Sequence, residues 1–328
     1  MEPSADRRDA AGLHATVLVP SYRRPDSLLR CLEAVLAGSR LPEQIVVALR
    51  DSDAESRAAL AAWLHGNPHA GLIDVATVAE PGQAAATNAG LAIARGDVIC
   101  FIDDDTAATQ EWLERLLAHY VDPHVVGVGG RDIVHHGDAV SAMPTPAVGR
   151  LTWYGRLIGN HHQPAFDEPR EVAHLKGANM SFRREVVSGF DTNIIGAHLT
   201  DTDASLAARR QGRLLYDPRA LVHHYPAPRT GGFSRQSERA DEMRADAHDA
   251  AYVMLKHLTG ARRMGFVVFA LAVGQDRRYG VLRMLARLPV EGTLALRRWR
   301  AAAGGLLQAR RTVRQANARP EGRHRART

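Results

Sequence analysis

Gly96-Asp97-Val98-Ile99-Cys100-Phe101-Ile102-Asp103-Asp104-Asp105 sets an unbroken apolar run against three consecutive carboxylates. Such a run has the length and residue types of a strand buried on both faces, the form found in parallel sheets. Side chains alternate along a strand, so Asp103 and Asp105 share one face and Asp104 the other. Paired carboxylates repel unless a proton or a cation lies between them. Ligands of open α/β sheets bind beyond the carboxyl ends of the strands. A hard divalent cation carrying a phosphorylated substrate is the first expectation. The plain alternative is a solvated acidic turn in which Asp104 or Thr106 caps the next helix, although three carboxylates exceed what a cap needs.

Outward from this strand, apolar and polar runs alternate. His14 to Pro20 reads as a first strand, followed by Ser21-Tyr22-Arg23-Arg24-Pro25 and an amphipathic run from Ser27 to Ala37 with Asp26 as N-cap. Gln44 to Leu49 and Leu72 to Val78 read as strands and Ala54 to Leu64 as the helix between them. Pro81-Gly82 opens a helix running through Ala94, and Gln110 to Tyr120 is the helix after the aspartates. This alternation is the signature of βαβ units. Beyond Tyr120 the pattern is less regular. Val125 to Val134 is strand-like, Met143 to Pro169 is loop-rich, and Asp201 to Gln211 is helical. Leu214 to Tyr216 and Ala220 to His223 read as two short strands separated by Asp217-Pro218, and from about Arg235 the pattern is helical.

Composition sets the outer bounds. The 328 residues are 45% hydrophobic, enough for a sizeable core and one large α/β domain with an appendage. Cys31 and Cys100 both fall inside apolar patterns, which suits reduced, buried thiols and a cytosolic chain. No apolar stretch approaches the ~18 residues of a membrane-spanning helix, and Met1 to Gly12 lacks the apolar core of an export signal. The first strand is not followed by a Gly-x-Gly-x-x-Gly or Gly-Lys-Ser/Thr loop, which argues against dinucleotide and P-loop folds. Much of the basic excess lies at the end, where a series of arginines from Arg297 to Arg327 meets only Glu321. Such a tail suits anionic lipid or nucleic acid, or serves as a solvated end.

Several segments stand in a telling order: Pro20-Ser21-Tyr22-Arg23-Arg24, Gly82-Gln83-Ala84-Ala85-Ala86-Thr87-Asn88-Ala89-Gly90, and Gly96 to Asp105. Lys176-Gly177-Ala178-Asn179-Met180-Ser181-Phe182-Arg183-Arg184, Thr200-Asp201-Thr202-Asp203 and a strand from Asp217-Pro218 that ends in histidine follow. Together they resemble family 2 glycosyltransferases of the GT-A fold over roughly Thr16 to Arg229. The resemblance implies an α/β nucleotide-diphospho-sugar transferase fold with a mostly parallel central sheet flanked by helices and a C-terminal helical extension. The chain then divides into a disordered N-terminus (1–13), a catalytic domain (14–230), a helical extension (231–304) and a basic tail (305–328).

Carried over residue by residue, the resemblance implies a donor site bordered by Pro20, Ser21, Tyr22 and Arg24, with Asp51 and Asp53 at the nucleobase and ribose. Gln83 and Asn88 would organise the loop near the donor, Asn88 serving equally as an internal helix hydrogen-bonder, and Gly82 would border the donor. Asp103 would approach the ribose or a metal-bound water, Asp104 would border the donor, and Asp105 would bind Mn²⁺ or Mg²⁺ directly. His224 is the third metal residue, in competition with His223, and an imidazole suits Mn²⁺ better than Mg²⁺. Lys176 and Asn179 would meet donor phosphate or acceptor sugar. Asp201, at a helix start that keeps it ionised, is the expected general base of an inverting transfer, with helix capping by Asp201 and Asp203 as the rival reading. His161, His162, Trp153 and Tyr154 lie in the stretch where such enzymes select acceptors.

Processive members of the family carry Gln-x-x-Arg-Trp and membrane spans, and neither is present. The implied activity is therefore a single transfer from a nucleotide-diphospho-sugar donor to a glycan or lipid-linked acceptor, in cell-surface polysaccharide or glycoconjugate synthesis. Arg262 to Leu271 sets basic residues beside an apolar centre, the pattern of an interfacial helix and equally of a buried one. The former suits a cytoplasmic protein peripheral at the inner face of the cell membrane. Two rivals are a metal-dependent nucleotidyl- or phosphoryl-transferase, which uses the same paired aspartates, and a non-enzymatic binder of nucleic acid through the arginine tail. The ordered motifs favour neither, so nucleic acid is not expected as a partner.

Overall fold

The computed structural model describes residues 12–136, 139–140, 144–196, 199–227 and 237–318. Its contacts divide the chain into two compact units, one of Met1–Leu151, Leu157–Thr192 and Thr200–Gly232, the other of Thr152–Arg156, Asn193–Leu199 and Phe233–Thr328.

The first unit begins with β1 (Ala15–Ser21), α1 (Pro25–Leu36), β2 (Gln44–Arg50), α2 (Ala54–Leu64), β3 (Ile73–Val78), α3 (Gln83–Ile93) and β4 (Val98–Ile102). Next come β5 (Thr106–Ala108), α4 (Trp112–Ala118), β6 (Val125–His136) and the two-residue strands β7 (Ala139–Val140), β8 (Arg150–Leu151), β9 (Leu157–Ile158) and β10 (Arg170–Glu171). β11 (Asn179–Arg183), α5 (Thr200–Ala208) and β12 (Arg213–His224) complete it. The main sheet runs β10-β12-β6-β11-β4-β1-β2-β3, with β5 on β12 and β7 on β6. Pairing is parallel from β4 through β3 and between β6 and β12, and antiparallel where β11 lies between β4 and β6.

The central strands are apolar throughout because both faces are covered. Val17, Val19, Cys100 and Ile102 join one core with Leu28, Cys31 and Trp112, while Leu18, Ile99 and Phe101 join the other with Met180 and Phe182. Both cysteines are free and buried.

Two local expectations need correction. α1 starts at Pro25, so Asp26 lies in its first turn and does not cap it; no side chain caps this helix. Proline presets the first helical φ and brings no orphan N–H, so the missing cap costs little. Asp217-Pro218 does not separate two strands. β12 is continuous across it, with a register shift against β6 between Asp217 and Leu221. Gly130 makes this irregularity fit: a Cβ there would lie 1.9 Å from the Ala220 carbonyl oxygen.

The register brings one set of ends together. Leu18 in the middle of β1 pairs with Phe101 near the carboxyl end of β4, Asn179 at the amino end of antiparallel β11 faces Ile102, and His224 at the end of β12 faces Thr106 and Val134.

The second unit holds α6 (Ala240–His257), α7 (Gly260–Ala272), a small hairpin of β13 (Gly274–Gln275) and β14 (Arg278–Tyr279), α8 (Val281–Glu291) and α9 (Thr293–Ala318). α9 runs through the expected boundary between residues 304 and 305, so the basic tail does not begin there. Ala301, Gly305 and Ala309 recur at helical spacing and are buried, which lets α9 pack closely on Ala247 of α6. Residues 1–11, 228–236 and 319–328 lie outside the described residues, and with them most of the expected disordered N-terminus, the boundary at residue 230 and the last arginines. Among the described residues, no helix is long and apolar enough to cross a membrane.

Candidate active site

β4 stops at Ile102, and Asp103, Asp104 and Asp105 turn the chain into β5. The carboxylates divide as strand alternation anticipates. Asp104 is buried toward β1, where it accepts hydrogen bonds from Ser21 Oγ at 2.7 Å and Arg24 Nη1 at 3.0 Å. The same guanidinium nitrogen lies 3.5 Å from Asp105 Oδ2. Asp105 turns to β12, with its Oδ1 3.3 Å from His224 Nε2. Ligand atoms of Asp103, Asp105 and His224 all fall within 4.8 Å of one another.

Their electrostatics suit a cation. Burial, with the neighbouring charge of Asp105, pushes the Asp103 carboxyl up to about 7. Burial also acts to raise Asp105, but hydrogen bonds from His224 and the Ala227 N–H outweigh it and hold this carboxyl below its ordinary value. Burial alone would lower His224; the facing carboxylates of Asp105 and Asp132 overcome it and raise the imidazole to about 9. Two crowded carboxylates and one imidazole form a donor set fit for a divalent ion of the Mn²⁺ kind.

Asp132 is a residue that sequence reasoning missed. It is fully buried in β6, pairs with Lys176 Nζ and lies 3.6 Å from His224 Nδ1. A charged Arg131-Asp132 pair within the strand-like Val125–Val134 run was the available signal, but the partners of Asp132 depend on the pairing of β6 with β12. Lys176 thus meets a carboxylate in the site. Asp201, at the start of α5, accepts the Gly177 N–H at 2.9 Å and the Thr202 N–H at 2.6 Å. Contacts therefore run from Asp201 through Gly177 and Lys176 to Asp132 and His224.

The remaining expected residues fall into two groups. Ser21 joins the acidic turn, and Pro20 and half-buried Tyr22 flank it, with Arg23 stacked on the Tyr22 ring. Asp51 is exposed, whereas Asp53 is buried as the N-cap of α2 and also accepts the Arg23 N–H at 2.6 Å. Gly82 precedes α3 with φ of 119°, a conformation that favours glycine. Asn88 clamps the Phe190 backbone from both sides, at 2.9 and 2.7 Å, which ties α3 to the segment after β11.

Asn179 is a correction. It is buried, its Oδ1 accepts the Trp112 indole N–H at 2.8 Å, and its Nδ2 donates to the Ala220 and Arg131 carbonyls. With its amide consumed by the sheet, it does not reach phosphate or sugar. His161 is likewise core, bonded to the His174 carbonyl and packed on Tyr216. Tyr154 packs on Phe269, and Trp153 is exposed within the second unit. His223 pairs with His135 at 3.0 Å, which leaves His224 as the histidine of the acidic cluster.

The mixed sheet and the acidic turn mark a ligand site beyond the carboxyl ends of the central strands, and comparison with known proteins gives its class. Residues 16–190 match the model of Glycosyl transferase family 2. The chain belongs to this family. The succinoglycan biosynthesis protein ExoM of Rhizobium meliloti is 30% identical over 234 residues, 66% of this chain and 68% of that protein. The glucosyl-dolichyl phosphate glucuronosyltransferase of Haloferax volcanii is 30% identical over 146 residues, 41% of this chain; the match spans 45% of that relative, less than half its length. Among solved structures, the mannosyltransferase PcManGT from Pyrobaculum calidifontis, in complex with GDP-Man and Mn²⁺, superposes with a TM-score of 0.53 at 18% identity over 93% of this chain and 88% of that one. That likeness shows the GT-A fold.

Proposed function

We propose that the chain is a metal-dependent, inverting glycosyltransferase that moves one sugar from a nucleotide-diphospho-sugar donor to a hydroxyl of a glycan or lipid-linked acceptor. Cell-surface polysaccharide or glycoconjugate synthesis, in the cytoplasm and in peripheral contact with the inner face of the cell membrane through the C-terminal helices, is the setting. The observation that carries the reading is the convergence of Asp103, Asp105 and His224 within 4.8 Å beyond the carboxyl end of β4. Asp105 and His224 would hold Mn²⁺ or Mg²⁺, with Asp103 beside them. When bound, the ion offsets the charge that develops on the departing nucleoside diphosphate.

Pro20, Ser21, Tyr22, Asp51 and Asp53 border the nucleoside end of the donor, and Arg24 steadies both Asp104 and Asp105. Asp201 takes the proton from the acceptor hydroxyl as its oxygen attacks the anomeric carbon opposite the leaving group. The N–H groups of Gly177 and Thr202 hold that carboxylate in place. Slow hydrolysis of UDP-, GDP- and dTDP-sugars, with and without Mn²⁺, tests the reading: metal-dependent turnover of one donor is expected, and no turnover of any would sink it.

A further inference from the structure

We infer that α7 and α8 form a docking surface for an anionic lipid bilayer, with the apolar stripe of α8 as its principal insertion element. α8 buries none of its residues. Val281, Leu282, Leu285, Leu288 and Val290 are all exposed, Leu282 and Leu285 by 61% and 54%. Apart from Val290 they fall on one stripe at helical spacing, and Arg283 and Arg287 stand on the opposite side. α7 repeats the arrangement: Phe266 is buried, while Met264 and Val268 are 64% and 58% exposed. Trp153 lies against Gly265 of this helix and helps to line an apolar hollow with Met264, Val268, Phe269 and Val273. The two helices touch each other. Exposed apolar surface on this scale marks an interaction site rather than ordinary surface.

Charge selects the occupant. α7 and α8 carry Arg262, Arg263, Arg283 and Arg287, and their sole carboxylate, Glu291, is occupied by Tyr279 Oη and Arg298, each at 2.8 Å. A second copy of this chain would set arginines against arginines, whereas anionic headgroups complement them. With 13 and 11 residues the helices are too short to span a bilayer, which takes roughly 20, and so lie in its surface. Exposed Trp153 suits the headgroup level.

The inference rests on the proposed reading only for its membrane setting, and flotation is read without any sugar transfer, so either can fail alone. The full chain is floated with phosphatidylcholine vesicles, with and without phosphatidylglycerol, beside Leu282→Glu/Leu285→Glu and Met264→Glu variants, whose exposed positions leave the fold intact by circular dichroism. The wild-type chain floats with anionic vesicles at least tenfold more than with neutral ones, and both variants lose most of that binding. Equal flotation with both vesicle types, none with either, or variants that float like wild type through the arginine tail would overturn the inference. So would a dimer in sedimentation that the same variants dissociate while vesicle binding is absent.

Discussion

Asp132 and Asp105 approach His224 from its two ring nitrogens, Asp132 at 3.6 Å from Nδ1 and Asp105 at 3.3 Å from Nε2. A carboxylate behind a metal-binding imidazole fixes its tautomer and orientation. Asp132→Asn is therefore expected to weaken Mn²⁺ binding about 10- to 100-fold in calorimetry while the circular dichroism spectrum holds. Unchanged affinity would remove Asp132 from the site.

The carboxylate of Asp201 is held by two backbone N–H groups. Asp201→Asn keeps much of that shape but removes the proposed proton acceptor. Transfer should fall by roughly 10² to 10⁴ while donor binding, measured by fluorescence titration, changes little. A variant that loses donor binding instead would place Asp201 at the donor.

Asn179 gives the opposite pattern. Asn179→Ala strands the buried Trp112 indole N–H and the Ala220 carbonyl. Urea unfolding should show a loss of about 1–3 kcal/mol, with donor affinity retained by the folded fraction.

Gly130→Ala drives a methyl group into the Ala220 carbonyl oxygen. Overpacking of this kind costs about 1–3 kcal/mol or more. A lower urea midpoint with unchanged slope is expected, and an unchanged midpoint would mean that the β6–β12 irregularity relaxes freely.

His161 supplies a pH dependence away from the acidic turn. Burial, with the neighbouring His174, holds its imidazole down at about 3 in the folded chain, against 6.5 for the free group. Between those values the unfolded chain binds a proton that the folded chain refuses. The contribution is intact above pH 6.5 and declines by about 1.4 kcal/mol per pH unit as pH falls toward 3. His161→Gln should flatten that limb of the stability profile; an equally steep limb would assign the loss to other groups.

How much was readable varied with how local each feature is. β1, β2 and β4 could be placed from their apolar runs because strands buried on both faces need no alternation. β12 could not, since Asp217-Pro218 has the composition of a turn; a buried Asp217 bonded to His119 at 2.9 Å keeps it in the sheet. Asp103 and Asp105 announced themselves by adjacency. Asp132 did not, because its lysine and histidine partners are 44 and 92 residues away in sequence. Asn179 shows the converse: the motif position was evident, but only the packing of Trp112 reveals that its amide is already engaged.

Joining β4 to the far end of β12 also has a kinetic meaning. Asp103 and Asp105 are synthesised well before His224, and β11 and β6 lie between their strands in the sheet. A nascent chain that has completed only β4 offers a cation two loose carboxylates. On the proposed reading, capture of an ion by all three groups waits until β12 has joined the sheet, and a gain in thermal midpoint on adding Mn²⁺ would report binding to that completed site.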